Sequence, residues 1–238
     1  MISFAPRMGR RCLGFLLVLP LLVLAPAAPA RAQTTIDQRV WSVVMLQGRA
    51  GPESPWRWSV ELIARSRDGV DDLDVAAVRP IVSYALTEWS TVGGGYAFAP
   101  TFPSTGGTTR EHRAFGQYIW AGPVSGGTLT WRTRVEARLI EGNSGPLGRL
   151  REQLRFSRPV KHGSKLALVG YDEIMLHLND TTRSPRGIDQ NRVFAGISAT
   201  LTGKLRIELG YLNQFSPGHR GAADRMNHVL SGSAILSF

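Results

Sequence analysis

Two short clusters in this 238-residue chain hold side chains of reactive type, and a third is built of glycine alone. In His162-Gly163-Ser164 a general base and a nucleophile stand two residues apart, a spacing that puts both on one face of a strand. A working pair also needs an acid to orient the histidine. The neighbours here are Lys161 and Lys165 around a central glycine, which is the composition of a tight turn. His177 and His228 each stand near the end of an alternating run, without a serine and a carboxylate at triad spacing. Asp71-Asp72-x-Asp74 has the front of a calcium loop but lacks its glycine and its terminal glutamate. Gly93-Gly94-Gly95 is followed by neither a helix nor Lys-Ser/Thr, so it reads as relief of crowding in a strand rather than a phosphate loop. With one cysteine, Cys12, and no histidine pair at ligand spacing, neither a metal nor a cofactor is expected.

The larger constellation is a set of arginines and acids at every second position. Arg57, Glu61 and Arg65 form one row; Arg132, Arg134, Glu136 and Arg138 form another. Arg151 and Arg155, then Glu173, then Asn191 and Arg192, then Arg206, Glu208 and Gln214 extend the series. A row of this kind is one face of a strand. The opposite faces are apolar: Trp58, Val60, Leu62 and Ala64 in the first case, and Leu129, Trp131, Val135, Ala137 and Leu139 in the second.

The elements that must carry these rows are strands separated by Gly, Pro, Ser, Asn and Asp clusters. The alternation predicts eleven: Val40–Gln47, Trp56–Arg65, Val75–Leu86, Thr91–Phe98, Glu111–Ala121, Leu129–Ile140, Gly148–Val160, Leu166–Leu178, Gln190–Leu201, Leu205–Gln214 and Asn227–Phe238. Most approach the ~9–11 residues of a tilted transmembrane strand. Bacterial single-chain barrels have even strand numbers. The expectation is therefore ten, with Val40–Gln47 outside the wall, or twelve, with one strand unseen. Glu152 and Asp172 fall on the apolar side of their runs, which predicts bulges or positions near a membrane edge.

The front of the chain has another character. Arg7, Arg10 and Arg11 precede an apolar run from Cys12 to Ala25, and Ala30-Arg31-Ala32 is a small-x-small cleavage site. The run is too short for the ~20 residues of a spanning helix and contains Pro20. Residues 1–32 therefore read as a signal peptide and residues 33–238 as the mature domain. Residues 1–32 hold four of the 28 Lys+Arg and none of the 18 Asp+Glu, so the remainder has 24 against 18, a net of +6. Its arginines alternate along strands instead of clustering on a helix or tail, which argues against nucleic acid as a partner.

Magnitudes decide which face points where. A lipid-facing Arg or Lys at the bilayer midplane costs roughly 2–4 kcal/mol. Turning Arg132, Arg134 and Arg138 outward would then cost on the order of 10 kcal/mol, as much as a whole domain's stability. In a membrane the charged rows must line the lumen. A water-soluble barrel or sandwich with the faces reversed has the same periodicity. The end of the chain favours the membrane: Leu230, Gly232, Ala234, Leu236 and the terminal Phe238 resemble the closing strand of an outer-membrane barrel, with Phe238 and Leu236 as its assembly signal. Loop lengths add an orientation, because Pro100–Arg110, Asn179–Asp189 and Ser216–Asp224 are long and alternate with short turns.

Several motifs carry a more specific likeness. They are Arg79-Pro80 with Tyr84, Arg132-x-Arg134-x-Glu136-x-Arg138, Tyr171-Asp172-Glu173, Gln190-Asn191-Arg192 with Gly196, Glu208-Leu209-Gly210-Tyr211 with Gln214, and Asn227-His228. Together they resemble the DUF2490 family of bacterial proteins. That resemblance implies an all-β, antiparallel transmembrane barrel and supplies no activity.

The expected protein is an outer-membrane barrel of a Gram-negative bacterium with an Arg/Glu-filled lumen, structural or weakly conducting. The main alternative is a surface protein that binds lipopolysaccharide or other anions through Arg110, Arg183, Arg186, Arg220 and Arg225 in external loops. A membrane-embedded hydrolase and a soluble periplasmic barrel are the remaining alternatives. Expected partners are outer-membrane lipid and lipopolysaccharide, with periplasmic chaperones and the barrel-insertion machinery during assembly.

Overall fold

The computed structural model describes residues 34–219 and 221–238. The expected signal peptide and Arg220 lie outside the described residues. The rest is all β: β1 (Thr34–Arg49), β2 (Trp56–Arg67), β3 (Asp72–Ala85), β4 (Ser90–Phe98), β5 (Glu111–Val124), β6 (Gly127–Ile140), β7 (Leu147–Pro159), β8 (Leu166–His177), β9 (Gly187–Thr200), β10 (Leu205–Ser216) and β11 (Asp224–Ser237). Each pairs with its sequence neighbours, and β1 closes the ring on β11. The strands form where period-2 alternation is cleanest, because each residue then meets one consistent environment.

The even strand number is not met. Eleven strands close the barrel among the described residues, and Val40–Gln47 is part of the wall. An odd count in an up-and-down barrel requires one parallel pair. That pair is β1 with β11, in register from Thr34↔Asp224 to Gln47↔Ser237, while the neighbouring pairs β1–β2 and β10–β11 are antiparallel.

Turns alternate between the two mouths. One mouth carries residues 50–55, 86–89, 125–126, 160–165 and 201–204; the other carries 68–71, 99–110, 141–146, 178–186 and 217–223. The tightest is Ser125-Gly126, where φ values of 47° and 74° match the twist of the flanking strands. Loops 141–146 and 178–186 are tied together, with Thr182 N donating to Ser144 Oγ and Arg183 Nη1 to the Glu141 carbonyl, both at 3.2 Å.

The wall is inverted relative to that of a water-soluble barrel. Val135, Leu139, Leu154, Leu168, Leu209 and Leu230 stand exposed on the outside, while Arg134, Glu136, Arg151 and Glu173 are buried inside. The interior is not polar throughout. Trp41, Val169, Phe194, Leu212 and Val229 form an apolar cluster within it, and Tyr171 stacks on Phe194 with ring centroids 5.0 Å apart. Charged groups occupy the adjoining level.

Candidate functional site

Inside the barrel, β5 to β9 present their inward rows to one another, and arginine and carboxylate alternate across them. Glu111 on β5 holds Arg113 at 2.6 Å and Arg138 at 2.5 Å. Glu136 on β6 holds Arg149 at 2.5 Å and Arg151 at 3.0 Å, with Arg134 at 3.8 Å. Glu173 on β8 holds Arg151 and Arg132 at 2.6 Å, with Arg192 at 3.5 Å. Asp189 on β9 joins Arg149 at 3.0 Å and Arg138 at 3.8 Å, and lies 3.4 Å from His177 Nε2. These contacts link into one network crossing five strands.

Its geometry follows from strand register. Arg134↔Arg151 and Glu136↔Arg149 are direct cross-strand partners, so the Arg-x-Glu row of β6 meets the Arg-x-Arg row of β7. Arg134 is the most enclosed cation, with only 1 % of its residue surface exposed. It donates through Nε (3.0 Å) and Nη2 (2.6 Å) to Gln117 Oε1, and its guanidinium lies 4.2 Å from the centre of the Phe115 ring. That ring has room because its neighbour is Gly95: a Cβ there would come within 2.5 Å of Phe115 Cζ and 2.6 Å of the Pro80 carbonyl. Where the network meets the apolar cluster, Arg65 and Arg192 stand over Trp41 at 4.1 and 4.9 Å.

Most of the expected lumen residues therefore meet. Arg132, Arg134, Glu136, Arg138, Arg151, Glu173 and Arg192 are one network. Glu61 pairs with Arg79 at 2.9 Å, and Arg155 with Glu208. Gln214 accepts from Asn227 Nδ2 at 2.9 Å and donates to Gln190. Arg57 and Arg206 lie exposed toward the short-turn mouth and make no ion pair among the described residues. Asn191 is a correction. It shares the outward parity of Val193 and donates to the Asp172 carboxylate at 3.2 Å, so it does not belong to the lumen. Glu111, Arg113, Gln117, Arg149 and Asp189 were missed, although Arg149 extends the Arg151–Arg155 row by one period and Glu111-x-Arg113 repeats it.

The outward acids have partners instead of bulges. Glu152 accepts from Trp131 Nε1 at 2.9 Å and Thr133 Oγ1 at 2.8 Å. Register shifts occur elsewhere, at Arg65/Ser66 and Met175/Leu176. Two tyrosine–histidine pairs also face outward: Tyr211 with His228 Nδ1 at 2.5 Å, and Tyr96 with His112. His162-Gly163-Ser164 is a turn, its serine hydroxyl accepting from the Leu166 amide at 3.0 Å. Asp74 is occupied by Arg39 at 2.7 Å, and Asp72 lies 3.3 Å from Arg67. Of the loop arginines, Arg110, Arg183, Arg186 and Arg225 are all exposed at the long-loop mouth.

Fold and interior together define a class: a closed up-and-down β-barrel, apolar outside and plugged by its own charged side chains. The chain belongs to the DUF2490 family, proteins of unknown function, whose pattern matches residues 38–227. An uncharacterised protein of Methylorubrum extorquens is 31% identical over 226 residues, covering 94% of this chain and 97% of that one. Among solved structures, LpxR from Salmonella typhimurium shares the fold with a TM-score of 0.50 at 10% identity, over 81% of this chain and 87% of that one.

Proposed function

We propose that this protein is an outer-membrane barrel whose lumen is closed, so that it acts as a structural or binding element of the membrane and not as a pore. The inverted wall carries the reading. In water, large apolar side chains such as Leu168 (59% exposed) and Leu230 (55%) would form a continuous exposed apolar surface, far beyond the few hundred Å² usual for a soluble monomer. In lipid the same surface is at home, and closure of the sheet leaves no unpaired edge. The closed lumen follows from packing: Arg134, Glu136, Glu173, Leu212 and Val229 each expose 2 % or less.

In this reading residues 1–32 are a signal peptide removed after Ala32, so the mature chain starts at Gln33 and β1 begins at the next residue, Thr34. The long-loop mouth faces outward and Phe238 faces the periplasm, where it engages the insertion machinery. The test is on the purified mature protein. A barrel of this kind migrates faster in gels when unheated, fractionates with the outer membrane, and gives no stepwise conductance in planar bilayers. Solubility without detergent would sink the location; steady ion conductance would sink the closed lumen.

A second role has its own support. Arg110, Arg183, Arg186 and Arg225 gather at one mouth, and the Tyr211–His228 and Tyr96–His112 pairs stand on the outer wall toward the same end. Aromatic rings with polar tips suit a membrane interface, and arginines suit the phosphates of lipopolysaccharide above it. Binding of lipopolysaccharide that weakens with salt and is lost when these arginines are changed to glutamine would establish this role. Salt-independent binding would remove it.

A further inference from the structure

The interior carries more positive charge than it neutralises, and the surplus borders a cavity. The linked network contains seven arginines (Arg113, Arg132, Arg134, Arg138, Arg149, Arg151, Arg192) and four carboxylates (Glu111, Glu136, Glu173, Asp189). Arg65, over Trp41, makes no ion pair at all among the described residues. Uncompensated charge in a low-dielectric interior is costly. An anion entering from outside would offset such a surplus.

The place for one is a vestibule of about 720 Å³ opening at the short-turn mouth. Arg132 and Arg134 reach it from the network and are incompletely paired there: buried Arg134 Nη1 and Arg132 Nε have no hydrogen-bond partner, and Arg132 keeps 19 % of its side chain exposed. Arg134 spends its other donors on a neutral amide, Gln117, and its one ion pair is a 3.8 Å contact to a glutamate that already holds two other arginines. Arg49 and Arg57 add positive charge to the lining, whose one acidic side chain, Glu61, is held by Arg79. Beside the arginines the wall combines apolar side chains, Met45, Ile81 and Ile119, with the hydroxyls of Ser59, Ser83 and Thr91. Trp58 and Phe238 also line the cavity, their rings stacked with centroids 6.2 Å apart.

We propose that this vestibule binds a small organic anion, a carboxylate or phosphate monoester, with its charged head at Arg132 and Arg134 and a short apolar body along Ile81 and Ile119. Arg132, with 19 % of its side chain exposed, supplies the reachable guanidinium, and Gln117 fixes the plane of the enclosed Arg134 beside it, whose charge the head balances. The surrounding positive field draws anions into the mouth. The inference stands on the interior alone and does not depend on the location proposed above.

The test uses the folded barrel in zwitterionic nanodiscs, titrated calorimetrically with hexanoate, butyl phosphate, acetate, inorganic phosphate and neutral hexanol. Hexanoate or butyl phosphate is expected to bind saturably at one per barrel, at least tenfold more tightly than acetate or inorganic phosphate. Which of the two binds better distinguishes a carboxylate from a phosphate site. R134Q is expected to weaken binding at least tenfold. S59W, which fills the vestibule without removing a charge, is expected to abolish it, and it keeps the test decisive if R134Q does not assemble. R225Q, at the opposite mouth, is expected to bind normally. Absence of saturable binding, hexanol binding as tightly as hexanoate, or binding indifferent to S59W would each overturn the proposal. Equal affinity for acetate and hexanoate would overturn the apolar half of the site.

Discussion

Glu136 and Arg149 are joined through a single carboxylate oxygen: Glu136 Oε2 accepts from Arg149 Nε at 2.9 Å and Nη2 at 2.5 Å, leaving Oε1 for Arg151 at 3.0 Å. Water-exposed pairs contribute ~0–1 kcal/mol each, but these side chains expose 1 % and 4 % of their surface. Removing the charge leaves Arg134 without an ion pair and Arg149 and Arg151 with one carboxylate each, and breaking a buried pair costs about 3–5 kcal/mol. Glu136→Gln should therefore lower the stability of the folded barrel by about that much, read from urea unfolding in lipid vesicles. Glu208→Gln should cost far less, because its partner Arg155 is one-quarter exposed. Equal effects would mean that burial does not set the strength of these pairs.

Val135 sits between Arg134 and Glu136 and points the other way, half exposed on the outer wall. Val135→Arg should slow or prevent insertion, at roughly 2–4 kcal/mol for a charge in the lipid band. Val135→Leu should be neutral. The measurement is the fraction of heat-modifiable barrel formed in vesicles; an unaffected arginine variant would place this wall in water.

The space for Phe115 is made by an absent side chain. Gly95→Ala would bring its Cβ within 2.5 Å of the ring and 2.6 Å of backbone, so strand or ring must shift, at roughly 1–3 kcal/mol. Gly116→Ala, with nothing within 4 Å of the added carbon, is the matched control and should be silent. Because Phe115 supports Arg134, the Gly95 variant should also weaken anion binding in the vestibule. A Gly95→Ala barrel as stable as the control would show that β4 yields freely there.

Phe238 has two contacts: its amide donates to the Gln47 carbonyl at 3.0 Å, and its ring stacks on Trp58. Deleting Phe238 should reduce the amount of folded protein in the outer membrane and leave unfolded chain in the periplasm. Trp58→Ala removes the ring contact but keeps the terminal aromatic, and should assemble at normal levels. If both variants fail alike, the terminal residue matters through the stack rather than through recognition during assembly.

The strands were legible because the two faces of the wall meet opposite environments, which writes a period of two into nearly every segment. All eleven expected segments are present. The closure was not legible, since nothing in Val40–Gln47 says that its free edge will meet β11 in parallel. The charged row of β6 could be read directly, whereas the pairings depend on cross-strand register and shear, quantities held by no single segment. Trp41, Phe194 and Val229 share the inward parity of polar neighbours, so an apolar cluster inside the lumen looked like scattered exceptions. Asn191 misled for the opposite reason: a polar residue beside Arg192 suggested the lumen, while its parity with Val193 was the better guide.

The parallel seam sets the start of β1 and the end of β11 at opposite mouths, where an even-stranded barrel sets them at one. Thr34 and Phe238 lie at opposite mouths, so probes attached at these two residues would report separately on the accessibility of each mouth. The same parity forbids a simple circular permutation. A linker joining Phe238 to Thr34 would have to run the full height of the wall, through a filled interior or along the apolar outer surface.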